Sequence, residues 1–276
     1  MPNKLKCQAP VSYRSRNLAA RVQRGFTLVE MAIVLAVIGL IIGAIAIGKD
    51  VQRNAEYTKI KNKFVDQWEQ AYNQQYQRSG VVLGDSQTQP RIMVNGANYT
   101  AAAGVPVSGG DMTLVTTGPT AICNVGSAPG LTTPATTLNM RDLFSRVGVR
   151  MPPGRAEGFE DRYVYLDTNG NPQEVQVCFQ WNKPGTAEGS GNVMVIAGLT
   201  PDLARMLDQT IDGKPDAREG RFRQQGVANG IANAPGVEWA ANNQNQMTFG
   251  TPNALTGRNQ DEDQVITVVA VYKMNQ

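Results

Sequence analysis

Residues 26–48 read Phe-Thr-Leu-Val-Glu-Met-Ala-Ile-Val-Leu-Ala-Val-Ile-Gly-Leu-Ile-Ile-Gly-Ala-Ile-Ala-Ile-Gly, with a single charge at Glu30. As a helix rising 1.5 Å per residue, this run reaches about 34 Å, enough to cross a hydrocarbon core. No proline interrupts it, since Pro10 precedes it and Pro90 is the next, and Lys49 and Asp50 close it. Ahead of it stand Lys4, Lys6, Arg14, Arg16, Arg21 and Arg24, with no acid among residues 1–25. Basic residues before an apolar span are first a topology signal, holding that side in the cytoplasm and sending everything after Lys49 outside. Glu30 is anomalous, because an ionisable group inside a membrane span needs either the interface or a cationic partner.

The string Arg24-Gly25-Phe26-Thr27-Leu28-Val29-Glu30, followed at once by the apolar run, resembles the type III signal sequence of type IV prepilins. An ordinary secretory signal is cut after its apolar region. The resemblance implies a cut before it instead, between Gly25 and Phe26 by a prepilin peptidase, with N-methylation of Phe26 and retention of the helix. It also implies a partner for Glu30, the α-amine of Phe26 on a neighbouring subunit. A carboxylate and an ammonium in a low-dielectric bundle attract strongly, whereas either alone is penalised, so the pair favours correct stagger. Ala32, Ala36, Gly39 and Gly43 recur at spacings of 4, 3 and 4 and place small residues on one helical face, with Gly39 and Gly43 as a GxxxG match. That face suits close helix packing in a filament core, and ordinary transmembrane composition explains it equally well. Many relatives carry a proline in this helix; here any local melting would rest on Gly39, Gly43 and Gly48.

The expected fold is α+β and pilin-like. A leader, residues 1–25, is removed; residues 26–48 form the transmembrane and filament-core helix; residues 49–78 continue it as an amphipathic half; and residues 79–276 form a periplasmic or extracellular head built on an antiparallel sheet. Val51, Ala55, Ile60, Phe64, Trp68, Ala71, Tyr72 and Tyr76 form the expected apolar stripe, and Glu56/Lys59 and Lys63/Asp66 the expected i,i+3 pairs. Val81-Val-Leu-Gly-Asp85 resembles a Leu-Pro-Gly-Asp segment of some pilin-like proteins, without the proline.

Within the head, residues 92–140 hold a single acidic residue, Asp111, amid Ala, Thr, Gly and Pro, which suits loops with short strands such as 112–117. Asn98-Tyr99-Thr100 is a sequon of the kind expected by chance. Arg162-Tyr-Val-Tyr-Leu-Asp167 and Glu174-Val-Gln-Val-Cys-Phe-Gln-Trp181 alternate around Thr-Asn-Gly-Asn-Pro and read as a β-hairpin. Asp167, Asn169 and Asn171 match only the first half of an EF-hand loop and read as a turn. Residues 193–198 and 265–273 are further strands, the last apolar enough to lie centrally. Thr200-Pro201-Asp202 starts a helix over 203–211, with Thr200 as N-cap and proline at N1. Asp208, Asp212 and Asp216 resemble an Asp-x-x-x-Asp-Gly-x-Pro segment of the same subset; they are weak calcium candidates, and capping and turn chemistry account for them as well.

Cys7 falls in the leader, which leaves Cys123 and Cys178 as an even pair on the side where disulfides persist. A bond between them is expected, with two separately buried thiols as the alternative. Histidine is absent, which removes the Ser–His–Asp triad, the Cys–His dyad and His-ligated zinc, and no CxxC spacing occurs. No nucleophile–base pair points to an enzyme, and acids such as Glu160/Asp161 and Asp261/Glu262/Asp263 mark solvated loops. No cofactor is expected. Removing the six leader charges from the 26 basic residues leaves 20 against 23 acidic ones, a net of −3. Nucleic acid is therefore not indicated overall, although Arg218, Arg221 and Arg223 could form a local patch. The resemblance implies a structural subunit of a type IV pilus or related filament. Its partners would be like subunits, the peptidase and the inner-membrane assembly machinery. The alternatives are a minor or tip pilin, a type II secretion pseudopilin and, from another class, a membrane-tethered binding protein or enzyme.

Overall fold

The computed structural model describes residues 25–101, 114–124, 138–227, 236–240 and 265–274; residues 1–24 of the expected leader, with Cys7, and the acids at 261–263 lie outside them. The chain divides into two units, Met1–Val51 and Gln52–Gln276. Helical residues run from Leu28 to Ser79 as α1 (Leu28–Ile60), a π-helical segment (Lys61–Val65) and α2 (Asp66–Ser79). A Gly80 in the left-handed region, φ 73°, ends the helix and donates its N–H to the Tyr76 carbonyl.

The amphipathic half differs from a uniform α-helix in one respect. At the π segment the Asp66 N–H reaches back five residues to the Lys61 carbonyl. Residues five apart lie on different faces of an α-helix, but the wider winding brings them together, so the ion pair that forms is Lys61–Asp66 at 3.0 Å and not Lys63/Asp66. Glu56 and Lys59 form no ion pair among the described residues. The buried stripe is Tyr57, Ile60, Phe64, Val65, Trp68, Ala71, Tyr72 and Gln75. Val51 and Ala55 lie before the head begins to cover the helix, and Tyr76 points away from it, so all three are exposed.

The head carries one antiparallel sheet in the order β1-β2-β3-β5-β4, built from β1 (Arg162–Leu166), β2 (Pro172–Asn182), β3 (Gly191–Leu199), β4 (Phe222–Gln224) and β5 (Val268–Lys273). The expected hairpin forms, with Tyr163 opposite Val175 and Tyr165 opposite Gln173. Its turn is organised by Asp167, whose Oδ1 accepts the N–H groups of Asn169 and Asn171 at 2.9 and 2.8 Å. The centre of the sheet is β3. β5 lies between β3 and β4, and residues 265–267 precede it without pairing. β3 bulges between Ile196 and Leu199. There Gly198 has φ 84°, and a Cβ would sit 2.0 Å from the Glu174 carbonyl oxygen, so only glycine fits.

One face of the sheet packs on the helix. Val177, Phe179, Met194, Ile196, Ala270 and Tyr272 join Tyr57, Phe64, Trp68 and Tyr72 in a continuous core. Phe179 stacks on Tyr72 at 5.0 Å between ring centres, and Trp68 packs on Phe144 and Phe179 at 6.0 and 6.2 Å. Phe144 belongs to α3 (Met140–Arg146), capped by Asn139, whose side chain accepts the Arg141 N–H. The opposite face holds a second buried cluster of Cys123, Cys178, Val193, Val195, Ala197, Val269 and Val271.

Ile122 pairs with Phe179 through two backbone bonds of 2.8 and 2.9 Å. Cys123 and Cys178 therefore oppose each other at the adjoining non-hydrogen-bonded position, where strands approach most closely. Their Cα atoms are 4.6 Å apart and the sulfurs are bonded. Residues 114–117 of the expected strand are not paired; residues 112 and 113 lie outside the described residues.

Candidate processing and assembly segment

The local sequence explains how the first turn forms. Thr27 precedes the first helical residue, and its Oγ1 accepts the Glu30 N–H at 3.2 Å. Glu30 Oε2 in turn accepts the Thr27 N–H at 2.8 Å and its hydroxyl at 3.0 Å. This reciprocal Thr-x-x-Glu arrangement is a capping box, satisfying otherwise orphaned donors at the helix start. The expectation for Glu30 weighed the membrane interface and a partner on another chain; the Thr27–Glu30 spacing was the signal for this intrachain role. Gly25 and Phe26 precede the helix, and Phe26 is 83% exposed.

From residue 25 to residue 52 every residue is exposed. Among the described residues none in the apolar window of this helix is buried, and its length and composition suit a membrane span. Ala32, Ala36, Gly39 and Gly43 all lie in this exposed stretch. A Cβ added at Gly39, Gly43 or Gly48 would meet nothing within 4 Å. Among the described residues nothing crowds these glycines. An apolar surface this long is otherwise rare on a folded protein and marks a membrane or protein contact.

The remaining candidates sit in the head. Asp208 is fully buried and accepts the Trp239 indole N–H at 2.7 Å. Burial foremost, with the neighbouring Asp212 carboxylate, pushes its carboxyl up to about 7 against the opposing pull of that indole bond. Asp212 accepts the N–H groups of Arg221 and Phe222, both at 2.8 Å. Asp216 accepts those of Arg218 and Val237 and pairs with Lys214 at 3.2 Å. The three carboxylates thus fasten three different stretches of chain beside α4 (Pro201–Ile211). Among the described residues no group of three or more His, Cys, Asp or Glu side chains is arranged to hold a metal.

Thr200 supplies no side-chain cap to α4. Its N–H instead donates to the Tyr165 hydroxyl, which bonds the Gly198 carbonyl. Sequence reasoning also missed Asp202, which accepts the Tyr57 hydroxyl at 2.7 Å and ties α4 to the helix. The basic trio does not form a free face. Arg221 pairs with Glu69 and lies over the Tyr272 ring, and Arg223 donates to the Gly220 carbonyl.

The profile of the prokaryotic N-terminal methylation motif matches residues 20–46. No curated protein and no solved structure matches the chain. The match and the fold meet at one conclusion: the chain carries a type IV prepilin-like methylation signal on a pilin-like α+β framework, a long N-terminal helix and a five-stranded antiparallel sheet.

Proposed function

We propose that the chain is a prepilin, held in the inner membrane with its N-terminus in the cytoplasm. Prepilin peptidase cleaves it between Gly25 and Phe26, Phe26 is methylated, and residues 26–48 then pack into the core of a type IV pilus or pilus-like filament. The observation that carries this reading is the methylation motif running directly into an apolar helix whose residues are exposed among the described residues. Glu30 and the new Phe26 amine would pair between subunits, with Ala32, Ala36, Gly39 and Gly43 at the helix contacts. The role is structural and not catalytic, and its partners are like subunits and the inner-membrane assembly machinery.

Mass spectrometry of sheared surface filaments tests it. A dominant product beginning at methylated Phe26 is expected; a membrane form retaining residues 1–25 in a host with an active peptidase would refute processing. A minor or tip subunit is the second reading, with which the methylation motif agrees equally well. Detection of the processed chain at trace level among filament proteins would select it, and confinement to the membrane fraction would select a pseudopilin.

A further inference from the structure

Residues 236–240 form an irregular strap fastened to α4, to the loop after it and to β4. The Ala217 N–H donates to the Val237 carbonyl at 2.8 Å, and the Val237 N–H to Asp216 Oδ1 at 3.1 Å. The Gln224 amide brackets Ala240, donating to its carbonyl at 2.6 Å and accepting its N–H at 3.3 Å. Gly236, Glu238 and Ala240 are exposed. Trp239 is turned inward, against the Phe222 ring at 5.3 Å and onto Asp208.

What Trp239 covers is a pair of acids. Asp208 is fully buried; its Oδ2 accepts the indole N–H, while Oδ1 has no hydrogen-bond partner among the described residues. The Asp212 side chain, one helical turn on, lies within hydrogen-bonding reach of it. Asp212 Oδ2 is taken by the Arg221 and Phe222 N–H groups, which leaves its Oδ1 for Asp208. Two carboxylates cannot donate to each other, so one proton held between them completes the site. The other charged groups of the elements packed here are engaged. Lys214 bonds Asp216 and Glu219, Arg205 pairs with Glu238, and Arg221 pairs with Glu69. Arg218 gives its N–H to Asp216, Arg223 donates to the Gly220 carbonyl, and Asp202 accepts the Tyr57 hydroxyl.

We propose that residues 236–240 are a proton-controlled latch, closed while Asp208 and Asp212 share a proton and released from α4 when both are ionised. Loss of the proton to water sets two anions against each other in a buried site. Ionised Asp208 holds the indole N–H more strongly, and the Asp216 N–H favours it as well. Burial foremost, with the Asp212 charge, outweighs both and brings the carboxyl up to about 7. Relief requires water, and the strap is the cover that can move. Leu203, Ala204 and Leu207 bury α4 in the core, whereas the strap is exposed at alternate residues. The latch therefore holds in mildly acidic surroundings and loosens above neutrality. With no histidine in the chain, no imidazole titrates in that interval. The device lies wholly in the head and is independent of filament assembly.

Hydrogen exchange of the full chain in detergent micelles tests it, read at the Trp239 indole and the Val237 and Ala240 N–H groups and corrected for intrinsic rates. From pH 5 to pH 8 the strap should open about ten- to hundred-fold more often. At pH 8 it should exchange faster than Val195 in β3 and respond little to low urea, the mark of a local opening. Asp208→Asn, which keeps an acceptor for the indole, should abolish the rise. If melting shows that this variant does not fold, Asp212→Asn serves, since its amide oxygen still accepts the β4 N–H groups. It should shrink the rise at least about two-fold. Strap protection that stays constant from pH 5 to pH 8 overturns the latch, as does exchange only as slow as that of Val195. An undiminished rise in a folded variant overturns it too.

Discussion

Reducing the Cys123–Cys178 bond leaves both side chains in the second buried cluster and changes chiefly the freedom of the unfolded chain. The bond spans 55 residues of sequence. In the loop-entropy description, closing a loop of that length lowers the entropy of the unfolded chain enough to stabilise the fold by about 4 kcal/mol at 25 °C. The native side is prepared for the loss: the Ile122–Phe179 bonds and the packing of Val193, Val195 and Val271 hold the same strands together without it. All three tryptophans, Trp68, Trp181 and Trp239, are buried in the head, so their fluorescence reports its unfolding. With a urea slope of about 2–3 kcal/mol per M for a head of this size, reduction should lower the midpoint by about 1.3–2 M with little change in slope. A midpoint that moves by less than about 0.3 M would refute the loop-entropy reasoning. Two thiols titrating in the unreduced protein would remove the bond itself.

The buried Asp208 predicts a distinct pH dependence. Its carboxyl titrates near 7 when folded and near 3.8 when unfolded, so the folded state holds an extra proton between those values. Stability is greatest below about pH 4 as far as this group is concerned, and falls as pH rises towards 7. Asp208→Asn keeps an acceptor for Trp239, and should flatten that slope and raise the melting temperature at pH 8; a steeper slope in the variant would contradict it. Trp68→Ala empties the junction of helix, α3 and sheet and should cost about 3–5 kcal/mol in urea unfolding; a loss below about 1 kcal/mol would place the core elsewhere. Gly198→Ala forces a Cβ onto the Glu174 carbonyl at a positive φ and should lower the melting temperature by several degrees or prevent folding, whereas unchanged melting would show that the bulge relaxes. Glu30→Ala should leave a processed, membrane-inserted protein that assembles poorly, and normal filament incorporation would count against the intersubunit pairing.

Much of this arrangement is legible in the residue order because it rests on local rules. The apolar run dictates a helix long enough for a membrane. Thr27 and Glu30 cap it at a spacing any reader can check, and Gly80 ends it because only glycine enters the left-handed region without strain. The hairpin follows from alternation around Asn169 and Gly170, and the helix after Thr200 from the proline at its first position. Other features involve partners distant in sequence. β4 is three residues long, too short for a period to show, and exists because β5 and the Asp212 carboxylate fix it. Tyr57 was invisible as a core residue until Asp202, 145 positions away, met its hydroxyl.

By itself the sequence determines the membrane-length helix, the methylation motif over residues 20–46 and the strands with a clear alternation, since each depends on neighbours within a few residues. Tertiary structure decides the strand order, the pairing of Cys123 with Cys178 and the burial of both sheet faces. It also decides that the β4 edge is sealed by the Asp212 carboxylate and the Ala217 carbonyl. These depend on which distant segments come to lie side by side, and hydrogen-bond register and packing volume settle that only once the whole head has closed.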